Sequence, residues 1–250
     1  MTVLESFHHL VALLWPQRCL VCERALARQE VCSGCLPPVP NFLGGPRCHT
    51  CWSSLPEPND RCGACKLFPP LFRYERYLWR YSGAIASIIR IIKYRPSKRL
   101  TVALAEHVAP RIATLFPRND WDLIIPTPAT LPSLRSRGFN QCAVLARYVG
   151  AELRIPIALT ALVHHGSRIP QASLSLEKRA RNVRHAFSAS SHRIVGKRCL
   201  LIDDVATTGA TSTAATQALL RGGAATVDLF TLARSDAWGE YRYEIHRSFA

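Results

Sequence analysis

The chain has 250 residues, enough to bury a full α/β core and one small additional module. Hydrophobic residues make up 48%, which excludes a disordered chain, and no apolar run reaches the roughly 18 residues of a membrane-spanning helix. The net charge of +15, from 32 basic and 17 acidic residues, points to an anionic partner such as a polyphosphate or a nucleic acid; a solvated basic surface with no dedicated partner is the plainer alternative.

The first 15 residues are apolar at helical spacing (Leu4, Phe7, Leu10, Leu14). They carry Glu5 and lack a basic start, so they read as a docking helix and not as a signal peptide, and the chain as cytoplasmic. Eight of the ten cysteines follow, as four C-x-x-C pairs: Cys19/Cys22, Cys32/Cys35, Cys48/Cys51 and Cys62/Cys65. A C-x-x-C turn places two thiolates on one side of a metal, and two such turns complete a tetrahedral site. Four pairs therefore predict two structural four-cysteine zinc sites, with Cys19, Cys22, Cys32 and Cys35 at one and Cys48, Cys51, Cys62 and Cys65 at the other. Spacing alone leaves an interleaved pairing open. Disulfides are the rival reading and would need an oxidising compartment. Four thiolates close each zinc site, so neither offers an open position for catalysis. His49 reads as a surface residue, and Cys142 and Cys199 as buried small hydrophobes.

After the link Lys66–Pro70, residues 74–81 are aromatic and β-prone. Phe72, Tyr74, Tyr77, Trp79 and Tyr81 are set against stacking on bases, and their alternation favours core packing. Helices are expected over residues 82–94 and 98–116, with Arg90, Lys93, Arg95, Lys98 and Arg99 clustered at their junction. That cluster reads equally as a solvated face and as an anion patch. Residues 121–125 form a short apolar strand broken by Pro126. A basic loop with Arg135 and Arg137 then leads into a helix from Gln141 to Val149, and such a loop suits a diphosphate. Residues 168–187 are polar and basic, with Gln171, Arg179 and Arg181, and are long enough for a mobile loop that closes over a polyanion.

The most informative stretch is Asp203–Asp204–Val205–Ala206–Thr207–Thr208–Gly209–Ala210–Thr211. An apolar strand, residues 199–202, ends in two carboxylates; a hydroxyl- and glycine-containing turn follows, then a helical pattern over 211–221 and a second strand over 226–233. This is a βαβ unit with its turn at the carboxyl end of the first strand, where open α/β sheets bind ligands. The helix start favours a phosphate. The two carboxylates suit the donors beside it, the hydroxyls of a ribose or a hydrated Mg²⁺. Phosphate at one end and a diol at the other imply a ribose 5-phosphate. The bland reading is an acidic strand end before a capped helix. Neither a Walker A loop nor a dinucleotide fingerprint is present.

This segment resembles the phosphoribosyl-pyrophosphate (PRPP) motif of type I phosphoribosyltransferases. The resemblance implies that Asp203 and Asp204 hold the ribose hydroxyls and that Thr207, Thr208, Gly209, Ala210 and Thr211 hold the 5-phosphate. Together with K-Y-R at Lys93–Arg95, R-G-F-N-Q at Arg137–Gln141, the run from Pro170 to Phe187 and the four C-x-x-C pairs, the motifs occur in the order of the ComF family of competence-associated proteins. The chain departs from the family pattern at Ile169 and at Pro96–Ser97. The resemblance implies a type I phosphoribosyltransferase-like parallel sheet with helices on both faces, plus a small N-terminal double zinc ribbon. Expected boundaries are 1–68 for the helix and ribbon, 69–235 for the phosphoribosyltransferase-like domain and 236–250 for a tail. It further implies PRPP with Mg²⁺ as ligand, with Arg135, Arg137, Gln171, Arg179 and Arg181 on the diphosphate side, and a link to DNA uptake. Single-stranded DNA and the uptake machinery are the implied partners. Three readings follow: an enzyme transferring phosphoribosyl to an acceptor the residues do not name, a single-stranded nucleic-acid-binding module, and a PRPP sensor without turnover.

Overall fold

The computed structural model describes residues 17–26, 31–39, 45–58, 60–117, 119–165 and 186–235. The N-terminal helical pattern, the basic loop with Gln171, Arg179 and Arg181, and the C-terminal tail lie outside the described residues.

The cysteine-rich part holds little regular structure. Strands β1 (Gln17–Arg18) and β2 (Ala25–Leu26) pair antiparallel, and one short helix, α1 (Gly63–Leu67), carries the last C-x-x-C pair. Its apolar cluster is small: Cys48, Cys51 and Cys65 with Leu55 and Cys62 packed against them. A cluster of this size buries too little surface to order the chain alone, so the metal sites must supply the rest.

Four parallel strands build the main sheet, in the order β3-β8-β7-β4: β3 (Glu75–Arg80), β4 (Leu123–Pro126), β7 (Arg198–Ala206) and β8 (Thr226–Arg234). A separate antiparallel pair joins β5 (Leu162–His164) to β6 (Phe187–Ala189). Alternation along the central strands decides which layer each side chain enters. Leu200, Ile202, Phe230 and Leu232 pack with α2 (Gly83–Tyr94), α3 (Lys98–Leu115) and α5 (Gln141–Leu153). Cys199, Leu201, Val227 and Leu229 face the other way, toward α7 (Ala210–Arg221) and the β5–β6 pair. Helices thus cover both faces of a parallel sheet, as such sheets require.

The helices follow their sequence signals. Ile85, Ile88, Ile89 and Ile92 form the buried stripe of α2, which stops before Pro96. Ser97 caps α3 by accepting from Leu100 N at 3.1 Å. Asn140 caps α5 by accepting from Cys142 N at 2.9 Å. Two expectations shift. The stretch containing Arg135 and Arg137 is not a loop: Thr130 caps a short helix, α4 (Leu131–Arg137), closed by Gly138 at φ +75°. The strand of the signature does not stop at the carboxylates: parallel pairing with β8 carries β7 through Asp203 and Asp204 to Ala206. The remaining helix, α6 (Ser191–Ile194), leads into β7.

Charge closes the amino ends of the strands. Asp228, fully buried, accepts from Arg73 (2.7 Å), Trp121 Nε1 (2.7 Å) and Tyr74 N (3.2 Å), and Arg198 pairs with Asp122 at 2.8 Å. The opposite, carboxyl end stays available for a site.

Two buried arginines fasten the ribbon to the sheet. Arg76 donates to the carbonyls of His49 (2.9 Å), Glu75 (2.6 Å) and Leu115 (2.8 Å), and its guanidinium lies 4.3 Å from the Trp52 ring. Arg234 donates to Ser53 Oγ at 2.9 Å and to the Cys51 carbonyl, and stacks on Tyr77 at 4.0 Å. Trp79 donates its indole N–H to the Pro38 carbonyl at 3.0 Å, tying in the first ribbon. Phe72, Tyr77 and Trp79 are therefore core residues and are not displayed for base stacking.

Arg76→Met keeps most of the side-chain volume and removes every donor, leaving buried carbonyls from three segments without it. We expect a loss on the order of 3 kcal/mol, read as a lower urea midpoint of the zinc-loaded protein. A midpoint equal to wild type would show that the clamp contributes nothing.

Candidate functional site

The β7–α7 turn concentrates unusual chemistry. Asp203 and Asp204 are consecutive residues near the end of β7, yet only 6% and 7% exposed. The turn passes through exposed Thr207 and half-buried Thr208 to Gly209, whose φ of +89° places it in the left-handed region that favours glycine. Gly209 is also the N-cap of α7. It offers no side-chain cap, and the first turn of the helix has no acidic residue. Thr208 Oγ1 accepts from Ala210 N at 3.5 Å. The first-turn N–H groups of such a helix lack intrahelical acceptors and attract an anion.

The acid pair is held by residues from three other segments. Asp204 Oδ2 lies 3.1 Å from Lys93 Nζ and accepts from Gln141 Nε2 at 2.8 Å; its Oδ1 accepts from Val205 N at 2.7 Å. Arg137 donates from Nη1 to Gln141 Oε1 at 2.8 Å and from Nε to the Lys93 carbonyl at 3.1 Å. Lys93, Arg137, Gln141 and Asp204 thus form a closed ring drawn from α2, α4, α5 and β7. Asp203 Oδ1 accepts from Asp204 N at 2.9 Å and from the Cys142 thiol at 3.6 Å. Asp204 and Gln141 also border an otherwise largely apolar cleft lined by Ile89, Ile92, Leu104, Leu145 and Leu232. Its low polarity strengthens the charge pairing beside it.

Burial and the adjacent Asp204 charge push the Asp203 carboxyl up to about 7. The Cys142 thiol is raised well above its ordinary value by its own burial and by the two carboxylates, so it remains a protonated donor. Burial opposes the charge on Lys93, but the Asp204 carboxylate outweighs it and raises the ammonium.

Of the expected site residues, the structure gathers Asp203, Asp204, Thr207, Thr208, Gly209, Ala210 and Thr211 on one turn. Arg135 is exposed on α4. Arg137, expected to share a diphosphate's charge, engages the Lys93 carbonyl and Gln141, because α4 ends within reach of both. Lys93, Gln141 and Cys142 were not expected as neighbours of the acid pair. Lys93 and Gln141 do belong to the short K-Y-R and R-G-F-N-Q motifs; Cys142 carried no signal beyond adjacency to Gln141.

The cysteines meet in sequential order. The Sγ atoms of Cys19, Cys22, Cys32 and Cys35 lie within 4.8 Å of one another, as do those of Cys48, Cys51, Cys62 and Cys65. Cys22 and Cys32, and Cys51 and Cys62, are each 3.7 Å apart at sulfur. A zinc ion with arms of about 2.3 Å requires tetrahedron edges of about 3.8 Å, so both sets fit zinc. The backbone N–H of Cys32 points at Cys19 Sγ (3.4 Å) and that of Cys62 at Cys48 Sγ (3.3 Å), stabilising thiolates in both sites alike.

Comparison with known proteins agrees with this architecture. A double zinc ribbon domain model matches residues 10–66, and a phosphoribosyl transferase domain model matches residues 130–245. The DNA utilization protein YhgH of Shigella flexneri is 30% identical over 223 residues, covering 87% of this chain and 90% of that protein. Competence protein F of Haemophilus influenzae is 28% identical over 225 residues, covering 87% of this chain and 97% of that protein. Among solved structures, the glutamine PRPP amidotransferase of B. subtilis is similar with a TM-score of 0.39 and 20% identity, over 53% of this chain and 26% of that one.

The buried acid pair makes stability depend on pH with a definite sign. Above about pH 4 the unfolded chain releases the Asp203 proton, whereas the folded chain keeps it up to about 7. This residue's contribution therefore falls as pH rises through that window and is least favourable above it. Asp203→Asn removes the term, and we expect the variant to exceed wild type at pH 8 by on the order of 2 kcal/mol and by less at pH 6. Urea denaturation at the two pH values reads the difference; a gap that widens toward low pH would contradict the assignment.

Proposed function

Because the chain belongs to the ComF family of competence and DNA-utilization proteins, we propose that it binds PRPP together with Mg²⁺ at the β7–α7 turn, as part of cytoplasmic DNA uptake. One observation carries this reading: two buried carboxylates near the end of β7 are followed, after residues 205–208, by a left-handed glycine and a helix start whose N-cap residue offers no side-chain cap. An acidic end and an anion-binding end, separated by one tight turn, match a ligand with a diol at one side and a phosphate at the other.

In this reading Asp203 and Asp204 accept hydrogen bonds from the ribose hydroxyls. Thr207, Thr208 and Thr211, with the first N–H groups of α7, hold the 5-phosphate. The family resemblance assigns Arg135 and the basic segment with Gln171, Arg179 and Arg181 to the diphosphate. Arg137 acts through Gln141, holding the amide that orients Asp204. Mg²⁺ would neutralise the diphosphate as it departs. Two further uses of the site, transfer of the phosphoribosyl group to an acceptor and sensing of PRPP without turnover, share the same contacts.

A second reading has its own observation. Tyr94 is 79% exposed and stands among exposed Arg90, Arg95, Lys98 and Arg99 at the α2–α3 junction. An aromatic ring within a basic surface suits a single strand, with bases stacked and phosphates neutralised. The two readings use different residues and are compatible.

Calorimetric titration of PRPP with Mg²⁺ into the zinc-loaded chain tests the first reading. We expect binding by wild type and a loss of at least about tenfold in Asp203→Asn/Asp204→Asn, since each removed carboxylate deletes a charge-assisted hydrogen bond. Folded wild type that takes up no PRPP would sink it. Strand binding that survives the double substitution and weakens with added salt would then favour the second reading.

A further inference from the structure

Both carboxylate oxygens of Asp204 are engaged by the protein itself. Lys93 and Gln141 occupy one carboxylate oxygen, and the Val205 N–H occupies the other. The Lys93 side chain comes from the last turn of α2, is 26% exposed, and meets a carboxylate side chain only 10% exposed. Its backbone is fixed in turn by Arg137, which donates to the Lys93 carbonyl at 3.1 Å. The ammonium is therefore placed by the fold at the acid pair and does not merely reach it from a flexible surface.

What that ammonium displaces is visible beside it. Donor atoms of Cys142, Asp203 and Asp204 lie within 4.8 Å of one another, and all three residues are buried. The two carboxylates at that separation can hold a divalent ion, with the protonated Cys142 thiol hydrogen-bonded to Asp203 beside them, and neighbouring negative charges attract one. With Lys93 in place the attraction is largely cancelled and one carboxylate is already engaged. A ligand that offers only hydroxyls must compete with the ammonium for Asp204. A ligand that also carries a diphosphate gives the ammonium a new partner as it gives it up.

We propose that Lys93 is the resident counter-cation of the acid pair: it keeps free divalent ions out of the Cys142–Asp203–Asp204 pocket and yields Asp204 to a ligand that brings its own polyanionic group. The first half stands on the ion pair and the donor set; the second rests on the PRPP reading above.

The test uses the full-length zinc-loaded chain and Mn²⁺ as probe, followed by electron paramagnetic resonance without any phosphoribosyl ligand. Wild type and Lys93→Arg, which both keep a cation at the pair, should show no uptake at this pocket. Lys93→Met should bind one Mn²⁺ at least about tenfold more tightly, and Lys93→Met/Asp204→Asn should lose it. Lys93→Gln, which drops the charge but keeps a donor, is run beside Lys93→Met and replaces it if that variant does not retain zinc and fold. Equal Mn²⁺ affinity in wild type and the charge-removed variant overturns the exclusion role. Calorimetry with PRPP and with ribose 5-phosphate, each with Mg²⁺, then tests the second half: the preference for PRPP should shrink several-fold in the charge-removed variant. An unchanged preference overturns it. If neither ligand binds wild type, the PRPP reading and this second half fall together, while the Mn²⁺ result still decides the exclusion role.

Discussion

A guanidinium sealed inside the protein joins its two parts. Arg76 has no access to water, and a charge there persists only if the protein surrounds it with acceptors. Those acceptors are backbone carbonyls at His49 in the second ribbon, at Glu75 in β3 and at Leu115 at the end of α3, and the guanidinium lies over the Trp52 ring. Burial pushes the guanidinium down to about 10, against which the nearby carboxylates act, so it stays charged at neutral pH. The cost of dehydrating it is offset only when ribbon, strand and helix meet in one geometry. This dependence makes the docking specific: a shifted ribbon would strand a buried charge. Zinc fits the same logic, because the ribbon carbonyls are presented by loops that the cysteine quartets must first hold in shape.

The same dependence reaches the β7–α7 turn. Arg234, the last residue of β8, contacts Ser53 and the Cys51 carbonyl on the ribbon side, and the next residue, Ser235, donates its hydroxyl to the Thr207 carbonyl at 3.0 Å. The second metal site and the turn are thus two sides of one strand end. A module that looks separate in the sequence is anchored at the strand end that also anchors the candidate turn.

The candidate site holds buried charge at a cost in stability. Two adjacent carboxylates inside a fold repel each other, and burial raises Asp203 further. The protein limits the strain with a lysine, an amide and a thiol drawn from α2 and α5, while a separate set of ion pairs closes the amino ends of the same strands. Charge at one end of the sheet is matched and structural; at the other it is held in reserve. Burial with incomplete neutralisation is the arrangement expected where a ligand supplies part of the balance.

Much of this was legible in the chain. The C-x-x-C pairs declared a double ribbon, because thiolate spacing within a turn is a local property. The isoleucine stripe of α2 and the aspartate–threonine–glycine turn are local as well, so that helix and the candidate turn could be read from neighbouring residues. The sequence by itself thus determined most of the helices and central strands, the ribbon and the residues of the β7–α7 turn, but not the short helix at Leu131–Arg137. Only the tertiary structure decided that the quartets form sequentially, that Arg137 serves Gln141 and Lys93, that Lys93 neutralises Asp204 and that Arg76 and Arg234 are buried. These contacts join residues dozens of positions apart. Whether an arginine faces solvent or fills a clamp depends on which surfaces the fold brings against it, and no local pattern carries that information.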